Sequence, residues 1–306
     1  MTYLFTIQGE LYDGFCIQGR LLPSVFVIGI AKCGTSTFDM IVQQYPELSH
    51  GSTKEHWFYV FSSKKLEKLD KNIIDSYAKQ FPECNSEQQK SPTHKIEKTY
   101  DATGGYAFPS AKSAENIKRF YKYLGIPSTK LLFISMICPN TRRIPSCFYY
   151  SLEYMEKKAK KENKIIDIRL VKLKVWLSLV LKYPFATYWN KGGPLRKNCL
   201  TSGYYDDIFG KYLEIFPKSR FFLIDSYYAF DNQQQLADSL SRLLKVPGRN
   251  ISYHHSNKHE HKEELTQDLK AQVRSFYAKH EQKLKEIIKH KPNVQTFPDQ
   301  SFGNNW

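Results

Sequence analysis

The sequence predicts an α/β fold of P-loop-like, three-layer type, with a mostly parallel central sheet and helices on both faces. Three observations predict it. Residues 24–30 (SVFVIGI), 130–137 (KLLFISMI) and 220–224 (RFFLI) are short apolar runs, the composition of strands buried on both faces. Segments of helical spacing separate them, and strands that alternate with helices pair in parallel. The first strand also ends in a glycine-bearing turn that opens directly into a helix, the start of a nucleotide-binding unit.

The remaining elements follow in order. Residues 1–22 read as a short extended lead-in, and Pro23 ushers in the first strand. Residues 36–45 carry Phe38, Ile41, Val42 and Tyr45 at helical spacing and stop at Pro46, where the ring cannot continue a helix. Helices are expected over 114–124, 144–161, 166–181, 204–216 (closed by Pro217), 236–246 and 265–288. The last places Leu265, Leu269, Val273, Phe276, Leu284 and Ile287 on one face. No linker-like stretch, repeat or low-complexity tract divides the chain. Residues 23–290 therefore read as one domain, and 291–306 as a peripheral tail.

Composition narrows the function classes. At 306 residues with 41% hydrophobic and 15% aromatic content, the chain can fill a core, which excludes wholesale disorder. The densest apolar patch, 175–181, is too short to cross a bilayer, and the first thirty residues show no basic region followed by an apolar stretch. Lys plus Arg is 45 against 30 acidic residues, a net +15 that favours anionic partners. Part of that charge lies in the run 155–164, which reads as a solvated helix face or loop. The six cysteines, Cys16, Cys33, Cys84, Cys138, Cys147 and Cys199, are scattered without a CxxC pair. Zinc ribbons and disulfide-dense miniproteins are thereby disfavoured, and the redox compartment stays open. His254, His255, His259 and His261 cluster in what reads as a polar loop, more suited to ligand contact by Lys258 than to zinc.

The chemistry concentrates in Gly29-Ile30-Ala31-Lys32-Cys33-Gly34-Thr35-Ser36-Thr37. Small residues let backbone N–H groups turn toward an anion, and the helix that follows aims its positive end at the same point. Lys32 adds a full charge, and the Thr35, Ser36 and Thr37 hydroxyls add donors. Cys33 reads as a small filler. A Walker A loop would place a lysine where Thr35 stands, so an ATP or GTP hydrolase or a P-loop kinase is disfavoured. A basic nucleic-acid-binding protein is disfavoured too, since no helix-turn-helix, zinc-finger or RNP signature is present.

Residues 27–37, then Tyr45-Pro46-Glu47-Leu48 and Lys54-Glu55-His56-Trp57-Phe58, resemble the Golgi-type carbohydrate sulfotransferases, among them the heparan sulfate enzymes and the enzyme that 6-sulfates 4-sulfated N-acetylgalactosamine. Two weaker stretches agree in order. Residues 100–109 are similar to the family's D-A-T-P-x-Y-x-x-x-P, with Gly104 where proline is usual, and residues 203–217 to its G-x-Y-x3-L-x2-W-L-x2-F-P helix. The resemblance spans roughly residues 24–290. It implies 3′-phosphoadenosine 5′-phosphosulfate (PAPS) as donor, PAP as product, no metal, and a Golgi lumen location. The chain itself shows no anchor, so a soluble cytoplasmic relative is the alternative.

Carried over residue by residue, the resemblance makes Ala31, Lys32, Cys33, Gly34, Thr35, Ser36 and Thr37 the cradle of the 5′-phosphosulfate. The family's R-x-P-x-x-R-x-x-S, which grips the 3′-phosphate, falls on residues 138–146. Arg143 and Ser146 are in register, but Cys138 replaces the first arginine and cannot supply its two-pronged grip. Arg142 is the candidate substitute; the alternative for Arg142 and Arg143 is a plain basic helix start. Lys32 would neutralise charge on the departing oxygen, and Glu55 would be the general base, with His56 as second candidate because its ordinary pKa is near neutral. The competing reading of Lys54 and Glu55 is a surface ion pair. Apart from the resemblance, Lys90 and His94 are candidates for the acceptor cleft, with a turn as the equal alternative, and Asp101 for orienting the acceptor or a cofactor-site lysine. The acceptor is expected to be a hydroxyl or amine of an anionic glycan, or of a small alcohol or phenol.

Overall fold

The computed structural model describes residues 14–61, 66–84, 96–108, 112–163, 172–182, 198–251, 264–299 and 302–303. The predicted lead-in is in part a hairpin, Phe15–Ile17 (β1) against Arg20–Leu22 (β2). Gln18 and Gly19 between them both have positive φ, which suits a two-residue turn whose twist matches the strands. A Cys16–Cys84 disulfide fastens the hairpin to the domain.

The main sheet has six strands, all parallel. In chain order the elements are Val25–Gly29 (β3), Thr35–Val42 (α1), Leu48–Ser49 (β4), Phe58–Phe61 (α2), Lys71–Ala78 (α3), Lys98–Asp101 (β5) and Ser113–Tyr123 (α4). Then come Leu132–Ile137 (β6), Asn140–Lys161 (α5), Leu173–Lys182 (α6), Asn198–Thr201 (α7), Tyr205–Ile215 (α8) and Arg220–Asp225 (β7). Ser226–Asp231 (α9), Gln233–Leu244 (α10), Gln267–His290 (α11) and Val294–Phe297 (β8) complete the chain. The spatial order is β4-β5-β3-β6-β7-β8. β3 and β6 are buried at every position, as strands covered on both faces must be.

Several expectations are corrected. β8 pairs in parallel with β7 through Phe221–Val294 to Ile224–Phe297, so the sheet extends into the segment read as a peripheral tail. Its Val-Gln-Thr-Phe sequence gives an edge strand no apolar run to betray it. β5 is polar, Lys-Thr-Tyr-Asp, yet wholly buried, because each polar group finds a partner. Thr99 donates to the Leu21 carbonyl at 2.7 Å, and the Tyr100 hydroxyl to Asp39 at 2.7 Å. α5 starts at Asn140, ahead of the predicted residue 144, and runs through Pro145. A proline this close to the helix start removes a single helical bond. The expected helix 166–181 is described only from residue 172, where α6 forms.

A second, all-helical core packs against the sheet domain's end. Phe148 and Leu152 of α5 meet Trp176 and Leu177 of α6, Leu200 of α7, and Val273 and Tyr277 of α11. A Cys147–Cys199 disulfide ties α5 to α7. The strand order places the functional crevice. From β3 the chain moves outward to β4, whereas β6 leads to β7 on the other side. Loops leaving the ends of β3 and β6 thus diverge, and ligands bind open α/β sheets in such a gap.

Candidate active site

The turn after β3 lies at this gap. Lys32 and Gly34 both take positive φ, 72° and 90°, so the backbone curls back before α1 begins. Gly34 is required for a second reason: a Cβ there would run into the Phe230 ring of α9. As the N-cap of α1, Gly34 offers no side-chain bond, so the first-turn N–H groups are left for another acceptor. Burial holds the Lys32 ammonium below its ordinary pKa of 10.5; Glu153 opposes this, Lys54 adds to it, and Glu55 opposes it. Its Nζ lies 4.5 Å from the centre of the Tyr150 ring, a cation–π contact.

Glu55 approaches the same loop from the other side. Lys54 Nζ donates to Ser36 Oγ at 3.2 Å, to Thr35 Oγ1 at 3.4 Å and to Glu55 Oε1 at 3.2 Å. Lys54 and Glu55 are therefore an ion pair, as the competing reading held, and the pair borders the loop. Gly104 sits beside both, with Thr35 Oγ1 and Glu55 Oε1 3.7 and 3.8 Å from where a Cβ would stand.

Asp101 is not at the cleft. It is fully buried, with Tyr77 and Tyr106 donating to Oδ2 at 2.8 and 2.6 Å and Thr103 to Oδ1 at 2.7 Å. Thr103 Oγ1 in turn accepts from the backbone N–H of His56 at 2.9 Å and of Trp57 at 3.3 Å. Asp101 thus holds the strand end against the segment that carries Glu55. His56 is also turned away. Its Nδ1 lies 2.6 Å from Gln80 Oε1 and its Nε2 2.8 Å from the His50 carbonyl, and its ring packs 4.7 Å from Phe81. With both nitrogens engaged, it is not placed to take an acceptor's proton.

Helix register sorts the residues after β6. Arg142, Ser146 and Tyr150 are four apart, share one face of α5 and line the cavity. Arg143 and Cys147 share another face and point into the helical core. Arg143 is fully buried, its Nε donating to Asn140 Oδ1 at 2.9 Å and its Nη2 to the Cys199 carbonyl at 2.7 Å. It grips protein, not the cavity. Cys138, in place of the family arginine, is bonded to Cys33 of the loop, so Cys33 is not the small filler expected. Tyr205 buttresses the bond: its hydroxyl, pushed up to about 12 by burial, donates to the Cys138 carbonyl at 2.8 Å.

All these walls enclose one cavity of about 900 Å³. Ala31, Lys32, Cys33, Gly34, Thr35, Ser36, Thr37, Glu55, Arg142 and Ser146 line it together. Two aromatic groups to which the sequence reading gave no site role complete it. Trp57 and Phe108, rings 6.0 Å apart, flank the Glu55 side, and Gly105 gives the Trp57 ring room. Tyr227 and Phe230 flank the opposite side, with the Arg142 guanidinium 5.3 Å from the Tyr227 ring centre. Lys270 of α11 also reaches the cavity. The stretch 100–109 carried a signal for the first group; nothing in the sequence marked the second. Lys90, His94, Lys258 and the histidine cluster lie outside the described residues. Among the described residues, Asp206, Asp207 and His280 could together offer metal ligands, but Lys283 Nζ already sits 3.3 Å from Asp206 and 3.8 Å from Asp207.

Comparison with solved structures finds the sulfotransferase of Alicyclobacillus acidocaldarius at a TM-score of 0.57, covering 87% of this chain and 96% of that one at 17% identity. The fold is that of a sulfotransferase. No family model matches the chain. Over 77 residues it is 39% identical to the membrane-associated sulfotransferase kil1 of Dictyostelium discoideum, a match spanning 24% of this chain and 15% of that protein. In this sulfotransferase fold the cavity sits at the C-terminal ends of β3, β5, β6 and β7, where the α/β crevice rule places it. No helix among the described residues is long and apolar enough to cross a membrane.

Proposed function

We propose that the chain is an enzyme that transfers the sulfuryl group of PAPS to a hydroxyl or amine of a carbohydrate acceptor, by in-line displacement. The observation that carries this reading is the convergence of Lys32, the uncapped start of α1 and the Glu55 carboxylate on one cavity. The donor set fits a phosphosulfate. The loop offers backbone N–H groups, three hydroxyls and an ammonium to one anion, while Arg142 and Ser146 face the cavity for a second phosphate. Bound there, PAPS supplies a sulfuryl group already attached to a phosphate leaving group.

The residues then have separable tasks. Glu55, oriented by Lys54, takes the acceptor's proton as the acceptor oxygen bonds to sulfur. Lys32 and the loop N–H groups hold the charge that collects on the phosphate oxygen as its bond to sulfur breaks. Trp57 and Phe108 wall the space beside Glu55, where a sugar ring can lie flat against an aromatic face. An oxidising lumen, the Golgi by resemblance, agrees with all six cysteines being paired.

Thermal unfolding with a nucleotide panel tests the donor. PAP is expected to raise the melting temperature more than ADP, ATP or an oligonucleotide; ATP with magnesium as the best ligand would replace this reading by a kinase. Labelled donor offered with glycans and small alcohols then identifies the acceptor. Glu55→Gln should cut turnover by roughly 10²–10⁴-fold, the usual worth of a general base, while PAP stabilises it as before. Wild-type turnover in that variant removes the base role from Glu55.

A further inference from the structure

Cys33 and Cys138 are 105 residues apart, each nearly inaccessible, and both line the cavity. Their bond joins the loop after β3 to the chain just after β6, two walls of the cavity. Cys33 lies between the two left-handed residues of the loop, Lys32 and Gly34. Cys138 directly follows β6, just before the helical turn that presents Arg142 and Ser146. Left-handed backbone at a lysine is costly and persists only when its surroundings enforce it. The tether is therefore placed where enforcement is needed. The other two disulfides, Cys16–Cys84 and Cys147–Cys199, staple the hairpin and the helical core and line no part of the cavity.

Resting on the donor reading above, we propose that the Cys33–Cys138 disulfide is a positioning element of the nucleotide site. It sets the loop in its anion-binding shape from the protein side, at the position where an arginine would have gripped the ligand directly. The site then binds its nucleotide tightly only when the bond is intact. A dithiol would open it by taking up the disulfide: each cysteine sulfur gains one electron and one proton, and the dithiol closes to its own disulfide. Binding and reduction are reciprocal, so a bound nucleotide must protect the bond to the same degree that the bond favours the nucleotide.

The test compares the full chain with Cys33→Ala/Cys138→Ala and Cys16→Ala/Cys84→Ala double variants, each first shown to unfold cooperatively. Hydrogen exchange of the amides of residues 31–37 reads the loop without any ligand. Calorimetric titration with PAP reads the site. The Cys33→Ala/Cys138→Ala protein should exchange those amides at least tenfold faster and bind PAP at least tenfold more weakly. The Cys16→Ala/Cys84→Ala protein should match wild type in both. In wild type, saturating PAP should raise the dithiothreitol concentration that half-reduces this disulfide at equilibrium, read by mass spectrometry of the 33–138 cross-link. Unchanged loop exchange in Cys33→Ala/Cys138→Ala overturns the proposal, as does a loosened loop with wild-type PAP affinity. A loosened loop in a chain whose wild-type form ignores PAP overturns the donor reading instead, and leaves the loop-setting role standing.

Discussion

At the residue scale, Lys32 is a cation in a partly dry setting, with Lys54 near it and two carboxylates opposing the shift. Its folded pKa lies below the ordinary 10.5, because burial disfavours the charged form. The sign of the consequence follows. As pH rises, Lys32 loses its charge before an ordinary lysine would, and any anion it holds is released earlier. PAP affinity should therefore fall along an alkaline limb that begins at a pH below 10.5, where Lys32 of the free protein starts to lose its proton. Lys32→Arg keeps its charge throughout that range and should abolish the limb while binding PAP at neutral pH. Calorimetry across pH checks this; the same limb in both proteins would mean that another group carries it. The Lys54 ammonium joins the Glu55 carboxylate to the Ser36 hydroxyl and so links that carboxylate to the loop.

At the element scale, α5 divides its roles by helical face. Arg142 lies on the cavity face, whereas Arg143, rotated by one residue, anchors the carbonyl of Cys199 in the helical core. Arg142→Ala should weaken PAP binding by roughly 10–100-fold, the worth of one charged hydrogen bond, at an unchanged melting temperature. Arg143→Ala should instead destabilise the fold by about 2–5 kcal/mol, from two buried acceptors left unpaired and the cavity opened, and so lower the melting temperature with PAP affinity intact. The reverse pattern would reject the division. The same register explains what the sequence could and could not disclose. Residues 24–30, 130–137 and 220–224 are legible as strands because a strand buried on both faces must be apolar. β5 hides because Thr99, Tyr100 and Asp101 are buried through hydrogen bonds that only tertiary structure supplies. Glu55 is marked only by the family resemblance of Lys54-Glu55, whereas the loop 31–37 is legible because its glycine, lysine and hydroxyl residues are contiguous along the chain. Tyr227, Phe230 and the Cys33–Cys138 bond are not, because their partners come from strand ends distant in sequence. Arg143 and His56 mislead for the same reason: motif register places them, but the helix face and the Gln80 and His50 oxygens turn them away.

At the scale of the whole molecule, the net charge of +15 bears on the acceptor more than on the fold. An acidic polysaccharide is drawn to such a surface over tens of ångströms at low salt, whereas an uncharged alcohol feels none of that field. The screening length falls from about 30 Å at 0.01 M salt to about 3 Å at 1 M, so ionic strength separates the two acceptor classes. With donor held saturating at each salt, kcat/KM for an anionic glycan should fall by about tenfold or more as salt rises, and the loss should sit in KM. The uncharged acceptor should show little change in either constant, because no long-range attraction assists its approach. Donor saturation matters here: PAPS is itself an anion, and its own weakening would otherwise imitate an acceptor effect. A glycan whose KM ignores salt would show that the charge serves the nucleotide site alone, and would shift the acceptor reading toward the small alcohols that the aromatic wall of Trp57 and Phe108 also suits.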